Sequence, residues 1–459
     1  MRKVFTANRV AAVLVGGLLM FNGFLPHRLM VGHVSYHGFA LLPLLTLLLL
    51  VPTTQRTATM AVTTGAGILL AYWVHSGFAV IMLPALLSVA LIAWMARMST
   101  GLPLTRFAGR AMLAGLIGLG LSASKLWASF SFLSHFPRTF YALPGFATPW
   151  EGLTSLGAAL FLPSQWAHEV GVERLVNVQW ALAPHEWAYG FGPGVLLLLF
   201  WVKRPRLTAS LWIWTGLILG LLMPLAISLW QADWNAFLKS LPLLGSMSNP
   251  LRWWITYIPA VAVVAGLALP KQRSNAWLAG AVLVLTMITS AWEPRAYYQS
   301  QNYDVRPILV ADEALRSGGW IPKIERLGLT AHIQAGSFQA PLRSNDTFIA
   351  GVSQVFCYNP VFGYRLEKFV AQGLTVESVL TESDGFLNLK NPACYVFPKE
   401  NGCLPGDRFR ADQRASAVAF VNYRPFEFAI SRGQMIANAI SGIFLILVCV
   451  VGVGSFHYP

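Results

Sequence analysis

Five carboxylates stand in the first 292 residues, and they mark where chemistry would be done. Glu169 and Glu173 are two of them; Glu151 follows Pro149-Trp150, Glu186 follows Pro184-His185 in the run APHEW, and Asp233 precedes Trp234. A carboxylate flanked by aromatics has the chemistry of a general base for a sugar hydroxyl, or of a ligand for a divalent cation beside a leaving phosphate. The same pattern also serves an ordinary interfacial loop. Glu151, Glu186 and Asp233 are therefore candidate catalytic groups. Lys125, Arg138 and Arg252 are the matching cations. Lys125 falls within an apolar run, where a charge costs at least about 2.5–3.5 kcal/mol, so it needs a partner, a polar cavity or a snorkelling path to the headgroups. A lipid-linked phosphate would suit it. Arg252 sits in SNPLRWW, whose tryptophans suit an interface. In HRLMVGHVSYH, His33 and His37 are four apart and share one face of a helix, the spacing of two ligands to a divalent metal; isolated interfacial histidines give it too.

The elements that must position these residues are apolar. Of 459 residues, 55% are hydrophobic and 11% charged, with mean hydropathy +0.55, which is a polytopic α-helical membrane protein. No acid precedes Glu151, whereas Arg and Lys recur in clusters between apolar runs, as on cytoplasmic loops. Up to Trp292 there are 18 basic and 5 acidic residues, and 15 and 14 after it, so the net charge of +14 reports topology and excludes a nucleic-acid partner.

About ten transmembrane helices follow. A retained first helix ends near Leu25, and the next are expected at 38–52, 58–74, 77–96 and 111–130. A long outer loop covers 131–190, and further helices are expected at 193–202, 208–229, 254–269, 276–292 and 433–454. With every basic cluster on one side, this gives a membrane domain over 1–292, an outer-face α+β domain over 293–430, and a closing helix and tail over 431–459. Both termini are then cytoplasmic. The outer domain reads as short β-prone runs such as DTFIAGVSQVFCY and ACYVFP. It holds Cys357, Cys394 and Cys403; a Cys394–Cys403 disulfide is expected, with reduced cysteines as the alternative. No nucleotide-binding fingerprint occurs, and pairs such as Gly16-Gly17 read as close helix packing.

Two stretches carry a resemblance. SASKLWASFSFLSHFPR at 122–138 is similar to a lysine-helix–Pro-Arg pattern, and NPLRWWITYIPAVAVVAGLAL to an arginine entering a late helix, in the GT-C class of integral-membrane glycosyltransferases and their YfhO-like relatives. The resemblance covers about half the chain. It implies a bacterial inner-membrane enzyme that takes a sugar from a polyprenyl-phosphate donor on the outer face, with Lys125 or Arg252 near the phosphate. Members of that class carry an acid in the first outer loop, where this chain has His27, Arg28, His33 and His37. Either the base comes from Glu151, Glu186 or Asp233, or the fold persists without the activity. The alternative is a non-catalytic scaffold or accessory subunit that binds another membrane protein through its outer domain. An ion-coupled transporter is disfavoured, because no acid falls within a span.

Overall fold

A computed structural model describes residues 1–135, 143–178, 182–199, 211–241, 244–245, 247–269, 275–300 and 430–457, with four short strands between 326 and 387. The chain forms two compact units. One comprises Met1–Ser131, Phe140–Ser300 and Arg432–Pro459, the other Phe132–Thr139 and Gln301–Ser431.

The first unit is built of helices: α1 (Arg2–Phe5), α2 (Arg9–Phe21), α3 (Phe24–Met30), α4 (Leu42–Leu50), α5 (Arg56–His75), α6 (Ala79–Thr100), α7 (Leu104–Leu121) and α8 (Ala123–His135). They continue as α9 (Pro149–Phe161), α10 (Ser164–Val172), α11 (Gly194–Leu199), α12 (Leu211–Ile227), α13 (Ala232–Ser240), α14 (Tyr257–Ala268), α15 (Ala276–Ser300) and α16 (Arg432–His457). Among the described residues, six stretches are long and apolar enough to cross a membrane: Arg9–Met30, Arg56–His75, Ile81–Thr100, Leu104–Leu121, Pro250–Ala268 and Arg432–Gly452. Val34–Leu50, Leu211–Ile227 and Ala276–Ala291 are shorter apolar helices, so the described residues hold fewer full-length spans than the ten expected.

The helix expected over 111–130 is in fact two. Leu104–Leu121 ends at buried Ser122, whose φ of −99° and ψ of 2° depart from helical values, and α8 begins at Ala123. Lys125 therefore lies on the exposed first turn of the second helix, past the apolar span.

Another break has the larger consequence. The stretch Arg9–Met30 is interrupted between α2 and α3, where Asn22 replaces the missing helical bonds. Its side-chain amide donates to Leu19 O at 2.6 Å, and its carbonyl oxygen accepts from Phe24 N at 3.0 Å. A break in an apolar helix persists only if its freed backbone groups find such partners. The next amide, Gly23 N–H, donates to Gly190 O at 2.8 Å, so the start of α3 is pinned to the end of the central loop.

Helices α5 and α7 approach closely through small residues. A Cβ on Gly67 would fall 2.5 Å from Ile117 Cγ2, and one on Gly118 would fall 2.9 Å from Leu70 Cβ and 3.2 Å from Gly67 O. Gly17 packs likewise under Leu283, while Gly16 faces open space. Helix α16 is held to α7 and α8 by polar side chains: Ser124 N–H donates to Ser441 Oγ at 3.0 Å, and Ser124 Oγ to Asn438 Oδ1 at 2.6 Å. Elsewhere it exposes Ile436, Ile443, Leu445 and Ile446, as a helix lying in lipid would.

In the loop between α8 and α11, strands β1 (Gly145–Phe146) and β2 (Leu175–Val176) pair antiparallel, with Gly145 opposite Val176. In the second unit β3 (Arg326–Gly328) pairs parallel with β4 (Val352–Gln354), and β5 (Glu382–Ser383) pairs antiparallel with β6 (Phe386–Leu387). The expected Cys394–Cys403 pairing lies outside the described residues.

Gly118→Leu is expected to force α5 and α7 apart and destabilise the protein by about 1–3 kcal/mol, the cost of overpacking. Gly115→Leu, on the same helix with nothing within 4 Å of its Cβ position, is expected to be neutral. Thermal unfolding of the two variants in detergent compares them directly.

Candidate functional site

Three distant pieces of chain meet at one carboxylate. Arg28 comes from the last turn of α3, Glu186 from the 3-10 turn Pro184–Trp187, and Arg252 from the 3-10 turn Pro250–Thr256 that leads into α14. Arg28 Nη2 donates to Glu186 Oε2 at 2.6 Å, and Arg252 Nη2 donates to Oε1 at 2.8 Å. Asn249, the N-cap of the Arg252 turn, accepts from Leu251 N–H at 2.9 Å and donates its own amide to Glu186 Oε2 at 2.8 Å. Tyr189 O–H donates to Leu251 O at 2.7 Å, tying the two turns together. Burial pushes this hydroxyl's pKa up, which keeps it a donor.

Aromatic rings hold the group in place. The ring of Tyr36 lies 5.1 Å from the Arg28 guanidinium carbon and 5.9 Å from that of Arg252, and Phe24 lies 5.4 Å from Arg28. Such contacts contribute roughly 0.5–2 kcal/mol each. Behind them Phe146, Trp187, Tyr189 and Trp254 pack edge-on and stacked, all fully buried. Arg28 is 0% and Glu186 7% exposed, whereas the side chains of Arg252 and His185 are 21% and 22% exposed. Access is thus from the Arg252–His185 side.

Two histidines complete the site. His185 Nε2 lies 3.7 Å from Glu186 Oε1, and its ring meets that of His33 edge-on at 5.2 Å. His33 Nδ1 lies 3.4 Å from Arg28 Nη1, which assigns its ring proton to Nε2. Burial works to raise the Glu186 carboxyl, but Arg28 and Arg252 outweigh it and hold the group well below the carboxylate range. Burial pushes His185 down to about 4, against the pull of Glu186 and with the help of Arg28, His33 and Arg252. His33 is lowered by burial and then by Arg28. At neutral pH two cations therefore share one anion between uncharged imidazoles, leaving one positive charge uncompensated among the described residues.

Ligand atoms of His33, His185 and Glu186 lie within 4.8 Å of one another, the arrangement of a divalent-metal site. The charges around them do not fit one. A unit charge about 5 Å from a divalent ion is repelled by roughly 7 kcal/mol at an effective dielectric of 20. Both guanidiniums bond directly to the carboxylate that would have to ligate it.

The other sequence candidates lie apart from this cluster. The Glu151 carboxylate accepts from Thr148 N–H at 3.0 Å and closes a capping box at the start of α9. Asp233 is exposed in the first turn of α13, and Lys125 is exposed on α8. Arg138 lies outside the described residues. His37 turns away from His33: its Nδ1 donates to Val34 O at 2.7 Å and its Nε2 accepts from Tyr72 O–H at 2.5 Å. Arg28, Asn249, Tyr36 and Tyr189 were not singled out by sequence. Arg28 alone carried a signal, as an arginine at the end of an apolar run with no acid within 120 residues after it.

No family model, curated protein or solved structure matches the chain.

Glu186→Gln would leave Arg28 buried without a counter-ion and is expected to cost about 3–5 kcal/mol. Thermal unfolding should show the loss, and Glu186→Gln combined with Arg28→Met should recover part of it. Acid acts through His185 first. Its folded value, about 4, lies below the ordinary 6.5, so the unfolded chain takes the proton first and stability falls as pH drops from about 6.5 toward 4. Glu186 stabilises above its ordinary value of 4.5, and that contribution is lost progressively as pH falls below 4.5 toward its lower folded value. Unfolding midpoints at pH 7, 5.5 and 4.5 should therefore decline, and His185→Gln should flatten that decline.

Proposed function

We propose that this chain is an integral membrane protein that binds the phosphate of a lipid-linked sugar beside Arg252 and His185, as the recognition step of a GT-C-like transferase at the outer face of a bacterial inner membrane. The observation that carries the reading is the uncompensated positive charge on its partly exposed side, where Arg252 and His185 are reached while Arg28 and Glu186 are sealed. Apolar helices of membrane-crossing length support the lipid setting. In this arrangement Glu186 is the fixed counter-ion of the site. A carboxylate already accepting from two guanidiniums and an amide has little basicity left to offer a sugar hydroxyl.

Arg252→Gln separates binding from folding. It leaves the neutral Arg28–Glu186 pair intact, so the unfolding midpoint should change little, while a lost charge-assisted contact of about 1.5–3 kcal/mol should weaken binding about tenfold to a hundredfold. The measurement is binding of undecaprenyl phosphate to the full chain in nanodiscs. Equal affinity in the variant would move the lipid phosphate elsewhere; no binding by either protein would favour a non-catalytic subunit of a larger membrane assembly.

A further inference from the structure

We propose that His185 takes up a proton when a phosphate oxyanion binds beside Arg252, so that imidazolium and guanidinium hold the anion together while Glu186 remains their shared counter-ion. This rests on the phosphate-binding reading above. The geometry selects His185. Its Nε2 faces Glu186 Oε1 at 3.7 Å, and Oε1 has only Arg252 Nη2 donating to it at 2.8 Å, so a protonated ring would find an acceptor there. His33 is differently placed. Its Nδ1 points at Arg28 Nη1, 3.4 Å away, and a proton on that nitrogen would face a guanidinium.

Every charged group around the His185 ring is accounted for among the described residues. Glu186 lies on its own turn, Arg28 and His33 come from α3 and the segment after it, and Arg252 comes from the turn before α14. The His33 ring, which meets His185 edge-on at 5.2 Å, is itself stacked on Tyr36 at 5.5 Å. Burial and the two guanidiniums keep the ring neutral. An anion about 4 Å away reverses that balance: at an effective dielectric of about 20 it brings an imidazole titrating at about 4 back to the neutral range. The proton comes from solvent, and no bond to the phosphate forms.

The test uses a ligand that does not itself titrate near neutrality, the farnesyl phosphodiester of glucose, with the full chain in nanodiscs at pH 6 and pH 8. The wild type is expected to bind about tenfold more tightly at pH 6, and calorimetry in buffers of different ionisation enthalpy is expected to show nearly one proton taken up per ligand at pH 6. His185→Gln should bind equally at both pH values with no uptake, and His33→Gln should keep the dependence. Wild-type affinity independent of pH, or a dependence lost in His33→Gln but retained in His185→Gln, would overturn the assignment while leaving the phosphate site in place. No binding at either pH would remove the phosphate site itself. The same diester with a methyl group in place of farnesyl should bind far more weakly; equal binding would make the ligand a soluble phosphodiester and overturn the lipid-linked source.

Discussion

Two guanidiniums drawn onto one carboxylate set the terms for the centre of the larger unit. Arg28 is wholly enclosed, and a buried cation is costly without a counter-charge. That counter-charge is Glu186, and the requirement spreads outward from it. The turn that carries Glu186 must be fixed against the turn that carries Arg252, which Asn249 and Tyr189 accomplish. The aromatic rings behind both turns must then fill the space that water would otherwise enter. The stability of this centre therefore rests on one anion, and the surplus cation, Arg252, is the one turned toward the accessible side.

The broken first stretch is part of the same arrangement. An unbroken helix from Arg9 would have no kink at Asn22 and no free Gly23 amide to reach Gly190. With the break, α3 starts from the end of the central loop and presents Arg28 to it. Helices α5, α7 and α16 pack through small residues and a few serine and asparagine contacts, with buried Arg110 of α7 donating to Val51 O and Thr53 Oγ1 after α4.

Much of the helical layout was legible, because long apolar runs and basic clusters are properties of local sequence. The break after Leu121 was not, since no Pro or charge marks it and it shows only in the backbone angles of Ser122. For the site, sequence pointed to Glu186 and Arg252 separately, through their aromatic flanks and junction positions, and to His33 through its spacing from His37. It could not join them, because the contacts cross 66 and 158 residues. Sequence placed His33 and His37 on one helix face, whereas the segment from Val34 to Leu41 is a 3-10 turn series, where a spacing of four does not align. Glu151 and Glu186 look alike in sequence, each two or three residues into a Pro-aromatic run, yet one caps a helix and the other holds two arginines.

The span of 158 residues between Arg28 and Glu186 also sets an order in time. Arg28 leaves the ribosome early, in a stretch of chain that offers it no acid before Glu151. At roughly 5–20 residues per second, synthesis takes about ten to thirty seconds to supply the carboxylate. During that interval α3 has neither its counter-ion nor the Gly190 carbonyl that anchors its first amide. The first apolar stretch therefore waits, unlatched, and the arrival of the central loop is the event that commits it.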